Sequence, residues 1–416
     1  MSIVRGLTTT QVAALSTTAI QSLKITDITA FNATQLPYLT STQIGVFAST
    51  QIRALVATQV AALSTTVIGA MGTTQLAGLA ATQIGALTTT QVGALTTTQL
   101  GALTTAQVTG FETTDLAAAF TTTQIGGLTS TQLGALTTTQ VRGLESTDVG
   151  ALTTTQLGGL KSTQVGALTT TQIAGLTSTQ AGALTTTQLT GLASTQLGAL
   201  STTQVGGLTT TQIGALSTAQ VKGFETTDLA ALTTTQLGGL KSTQLGALAS
   251  TQILLSSQVA ALTTTQVGAL TTTQLGALTT AQVKGFETSD LAALTTTQFV
   301  GLLSTQLAAL STTQIGGLEV TDLAALTTTQ LPGLGSLHVG SLSSAQFAGL
   351  TTTIIGALTT TQMTGLVSTQ IAALTTTQIG VLTTTNVQAL TDTQVAAFTT
   401  TQIGAMSTNQ VNALFV

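Results

Sequence analysis

Hydrophobic residues recur along this chain at a fixed interval of eight. Leu87-Thr-Thr-Thr-Gln91-Val92-Gly-Ala is followed by Leu95-Thr-Thr-Thr-Gln99-Leu100-Gly-Ala, and the same phrase runs from Leu7 to Leu414. Counted from the leucine, position one is Leu, occasionally Phe or Met, and position six is Val, Ile or Leu. Positions three and four are Ser or Thr, position five is Gln or Asp, position eight is Ala or Gly, and positions two and seven vary. Self-similarity at so short a period predicts a solenoid, because an octad cannot bury its apolar stripe alone and must stack on neighbours.

Position eight carries a second period. From Gly110 onward Gly and Ala largely alternate, as in Gly127, Ala135, Gly143, Ala151, Gly159 and Ala167, so the 8-residue motif pairs into 16-residue units. The phase survives an extra residue in Asp115-Leu-Ala-Ala-Ala-Phe120 and a loss of two around Gln252–Gln258, which points to stacking that pairs like with like. Residues 1–416 read as a single continuous repeat domain, with irregular N-terminal repeats or a cap over 1–79, regular repeats over 80–382 and C-terminal repeats or a cap over 383–416.

The leading reading is an all-α solenoid of very short helices. Thr at an N-cap with Gln three residues later forms a capping box, and the preceding Leu facing an apolar fourth helical residue forms a hydrophobic staple. Positions one, six and eight then face inward, and two mini-helices make each sixteen-residue turn. The alternative is a β-solenoid, in which positions four, six and eight alternate inward as Thr, Val and Ala. High threonine content and Pro37 and Pro332 at position seven favour the strand. Glycine at positions seven and eight and the Glu-x-x-Asp-Leu-Ala-Ala-Leu octads favour the helix. Locally, Leu-Thr-x-x-Gln-Val resembles the helix openings of calmodulin-like proteins and of transcription-activator-like effector repeats, a resemblance of local structure over one octad.

Charge narrows the functional classes. Only 5% of residues are charged and the net charge is −4, with eight basic residues in the whole chain. That cannot neutralise a run of phosphates, so no nucleic acid is expected as a partner. There is no tryptophan to stack bases on, and no cysteine for disulfides or zinc-thiolate sites. Mean hydropathy is positive, +0.49, yet hydroxyls and glutamine interrupt every octad, so no transmembrane segment is expected. Met1-Ser-Ile-Val-Arg5 enters the repeats without a leader pattern, so any export uses a route without a cleaved N-terminal signal.

Candidate chemistry is sparse. The one histidine, His338, stands in the glutamine slot of a degenerate octad and reads as a polar replacement on the same face. Five pairs of acids recur: Glu112 and Asp115, Glu145 and Asp148, Glu225 and Asp228, Glu287 and Asp290, Glu319 and Asp322. The preferred reading makes them exposed corners that aid solubility or lock register. Calcium ligation by these ten carboxylates is the alternative, although calcium takes about six to eight oxygens and each pair stands alone. No catalytic residue, cofactor or other metal site is expected, and the chain reads as non-enzymatic.

The chain as a whole resembles bacterial octapeptide-repeat (Leu-Thr-x-x-Gln-Val-x-Ala) low-complexity proteins grouped with surface, adhesin-like and type I secreted repeat proteins. The resemblance implies an extracellular or cell-surface location, with a cytoplasmic one still open. The expected function is a structural protein that forms or decorates an extracellular filament, sheath or surface layer by self-association. The alternative is a rigid binding module whose threonine-rich face contacts ice, glycan or protein.

Overall fold

The computed structural model describes residues 2–249, 251–252 and 254–415. Among these, each octad folds as one turn of helix and an extended corner. There are 48 α-helices of four to six residues and three short 3-10 turns, with no strand. Thr97–Ala102 is typical. Thr96 caps it in an extended conformation (φ −79°, ψ 160°), and Leu103 returns the chain to extended backbone (φ −64°, ψ 144°). The capping box decides the contest between helix and strand, since Thr and Gln together satisfy two of the amides that an isolated helical turn would leave unpaired.

Proline marks where the helix gives way. Pro37 and Pro332 lie in Leu36–Tyr38 and Leu331–Gly333, which are 3-10 turns instead of α-helices. The missing amide is tolerated there without breaking the octad frame.

The chain forms two compact units, Met1–Leu216 and Ser217–Val416. Both are all-α solenoids built on the same rule. Position six is sealed from solvent, as with Val92, Leu100 and Val108 at 0% exposure, and position one lines the coil interior beside it. In the first unit, helix Thr154–Gly158 packs on Ser130–Ala135 and on Ser178–Ala183, three octads before and after it. In the second, Thr360–Met363 packs in the same way on Ser336–Ser341 and Thr384–Gln388.

This spacing corrects two sequence expectations. A sixteen-residue turn would stack each helix on its second neighbour, but each extended corner bends the chain by less than the half-turn that requires. Stacking on the third neighbour, an odd count, also means that the Gly/Ala alternation sets unlike octads against each other, not like with like. The consequence is a close seam. A Cβ on Gly175 would lie 2.6 Å from the Ser146 carbonyl oxygen, and one on Gly150 would lie 2.7 Å from that of Gly175. In the second unit a Cβ on Gly285 would meet the Ser256 carbonyl at 2.7 Å. Position seven of the Gly-ending octads leaves space, and a Cβ on Gly158 would meet nothing within 4 Å. The glycines therefore serve close approach; none among the described residues has positive φ.

Candidate functional site: the position-five clamp

The side chain at position five joins one coil to the next. Gln91 Oε1 accepts the N-cap amide of Thr88 at 2.8 Å, closing its own helix start. Its Nε2 donates to the carbonyls of Leu63 (2.6 Å) and Val60 (3.1 Å), 28 and 31 residues earlier. Val60 lies in the last turn of a helix on the preceding coil, where its carbonyl also accepts the Leu63 amide, and Leu63 stands just past that helix end. One buried amide thus satisfies a helix start on one coil and a helix end on another. A coil takes about 28 residues, or three and a half octads, by this measure.

Gln156, Gln172 and Gln188 repeat the arrangement in the first unit, and Gln306, Gln330 and Gln370 in the second. All six are buried. Burial of an amide is tolerated because both its oxygen and its nitrogen are hydrogen-bonded.

The clamp also explains how phase survives the two irregularities. Past the extra residue, Gln124, Gln132 and Gln140 reach back 32 and 29 residues, and Gln156 returns to 31 and 28. Past the loss, Gln258, Gln266 and Gln274 reach back 29 and 26, and Gln282 again reaches 28. Each length change is absorbed within one coil, because the clamp selects a place on the coil beneath and not a distance along the chain. At the insertion the wider coil is filled by Phe111 and Phe120, whose rings meet edge to face with centroids 5.1 Å apart.

His338 fits the same slot. Its Nδ1 accepts the Gly335 amide at 3.2 Å and its Nε2 lies 3.0 Å from the Leu310 carbonyl, 28 residues earlier. A carbonyl only accepts, so the ring is the Nε2–H tautomer and copies glutamine atom for atom. The sequence reading of a polar replacement matches this geometry.

The acidic pairs are pulled apart by the fold. Glu112, Glu145, Glu225, Glu287 and Glu319 are exposed at N-cap positions. Asp115, Asp148, Asp228 and Asp290 are 2% exposed and Asp322 is 1% exposed, so the expectation of exposed corners holds for the glutamates and is corrected for the aspartates. Asp115 accepts the Glu112 amide at 3.0 Å, and Asp148, Asp228 and Asp290 do likewise with their own glutamates. Burial pushes the carboxyl of each aspartate above its ordinary range. The amide bond opposes that shift and the neighbouring glutamate charge reinforces it. Among the described residues no three His, Cys, Asp or Glu side chains gather as metal ligands.

Sequence reasoning found the accepting half of the clamp and missed the donating half. A signal was present: beside a helix N-terminus, a position needing only an acceptor favours Glu, and this chain keeps Gln.

Stacked coils of short helices joined by buried side-chain amides define a helical repeat protein. The ALTTAQ repeat model matches nine stretches, residues 57–89, 84–111, 108–144, 141–178, 191–224, 221–255, 254–286, 283–320 and 315–352, and the chain belongs to that family. The phrase itself stands at Ala102–Gln107 and Ala277–Gln282. No curated protein matches the chain. No helix among the described residues is long and apolar enough to cross a membrane.

Proposed function

We propose that this chain is a non-enzymatic structural protein whose coils build or decorate an extracellular filament, sheath or surface layer. The observation that carries the reading is the clamp. Along most of the described chain a coil presents carbonyls that the glutamines of a following coil are shaped to fill, so the architecture propagates by adding equivalent layers. The outer surface, low in charge and rich in hydroxyls at positions two to four, suits lateral packing of neutral faces. The resemblance to bacterial surface and adhesin-like repeat proteins supports placement outside the cell.

Electron micrographs of the purified chain at rising concentration test this reading. Filaments or sheets with a regular spacing are the expected result, and a monodisperse particle at high concentration overturns it. Protease shaving of intact source cells tests the location, with loss of the protein expected.

A second reading rests on threonines 88–90 and their counterparts, exposed on successive octads. Such a face suits a rigid binding module for ice or glycan. The hydroxyl of Thr88 already accepts the Gln91 amide, which leaves positions three and four as the free hydroxyls. Thermal hysteresis or glycan-array signal from a monodisperse protein would favour this reading over the first.

A further inference from the structure

Position five needs one acceptor for its own helix and one donor for the coil beneath. Asn386 meets both needs with a side chain one methylene shorter than glutamine. Its Oδ1 accepts the Thr383 amide at 3.1 Å and its Nδ2 donates to the Leu358 carbonyl, 28 residues earlier, at 2.7 Å. Aspartic acid has the size and reach of asparagine; the aspartate ion lacks the donor. The carbonyls 28 residues before Asp115, Asp290 and Asp322 are those of Leu87, Leu262 and Leu294, and no donor reaches them among the described residues. Asp322 Oδ2 is itself buried without a partner.

We propose that the aspartate octads are proton-operated clamps: on taking a proton, the carboxyl donates its O–H to the carbonyl of the coil beneath, as Asn386 donates its amide, and closes a seam that the ion leaves open. A proton suits the slot better than a metal. The slot brings together one carboxylate and main-chain carbonyls at 1–2% exposure, whereas a hard cation such as calcium takes about six to eight oxygens.

Few other charges bear on these groups. Glu112, Glu287 and Glu319 flank them on their own elements. Of the helices packed against Asp115, Thr89–Gly93 carries no charge and Thr138–Gly143 carries the exposed Arg142. Thr264–Val267 and Thr312–Gly316, beside Asp290, carry none, and Lys284 lies with Glu287 on an exposed groove. Thr296–Val300 and Ser344–Ala348, beside Asp322, carry none. Among the described residues no cation is placed to hold the carboxylates of Asp115, Asp290 and Asp322 ionised.

The direction follows from burial. Because the folded chain raises these carboxyls, it holds their protons more tightly than the unfolded chain. Their stabilisation is complete below the ordinary aspartate value of about 4 and is lost as pH rises through the raised values. Asp27, lowered by the hydroxyl of Ser2, behaves in the opposite sense.

The test compares the full chain with its D115N/D148N/D228N/D290N/D322N variant, which keeps Asp27, by thermal unfolding from about pH 7.5 to about pH 4. The variant is expected to melt at least about 2–4 °C higher at the upper pH, with the gap closing as pH falls. The infrared band of a protonated carboxyl should appear in the parent above the ordinary aspartate range and be missing from the variant. A gap that is absent, constant or widening on acidification, or a band that appears only below that range, overturns the proposal. The single D322N variant, probed in the same way, reports on one seam should the fivefold change disturb folding.

Discussion

At the scale of the residue, Gln370 shows what one clamp contributes. It is 0% exposed and joins the Val367 amide to the Val339 and Leu342 carbonyls at 2.7–2.9 Å. Gln370→Leu keeps the volume and strands an amide and a carbonyl in the interior. A loss of about 2–4 kcal/mol in urea unfolding is expected, from roughly 1–3 kcal/mol for each buried group left unpaired. Gln370→Glu should also destabilise at neutral pH, because the carboxylate faces carbonyl oxygens, and it should recover as pH falls and the group gains a proton. His338→Gln replaces one acceptor and donor pair by another and should change stability by less than about 1 kcal/mol.

At the scale of the element, the two glycine environments make opposite predictions. Gly158 closes helix Thr154–Gly158 with open space where an added methyl would sit, so Gly158→Ala should stabilise by about 0.5–1 kcal/mol through helix propensity and a less flexible unfolded chain. Gly175→Ala would press its methyl on the Ser146 carbonyl and force the coils apart, costing about 1–3 kcal/mol. Thermal melts of the two variants, run side by side, check both signs. The short helix itself was legible in the residues, because Thr-x-x-Gln followed by Val is a complete N-terminal device. The coil was not. Periods of eight and sixteen describe which residues repeat, whereas the number of octads per coil depends on the angle at the extended Leu-Thr corner, which no side-chain pattern records. The aspartates misled for a related reason. Charge predicts exposure in isolation, and only the place of position five against the preceding coil buries it.

At the scale of the molecule, register is carried by contacts between octads three apart, and this makes parity matter. Deleting residues 160–167 would set Ala183 in the place of Gly175 over Ser146, whereas deleting residues 160–175 would set Gly191 there. The larger deletion removes more of the stack yet keeps the close seam. It should be the more stable of the two by about 1–3 kcal/mol in urea unfolding. Equal stability, or the reverse order, would show that the seam yields without cost.

The same alternation reaches back to the gene. A near-identical tandem array is prone to gain and lose units when it is copied, and eight codons are the smallest unit that preserves the phrase. In the protein that smallest step puts a methyl where only hydrogen fits, while a step of sixteen codons leaves each seam as it was. Length variants of this array should therefore differ by even numbers of octads.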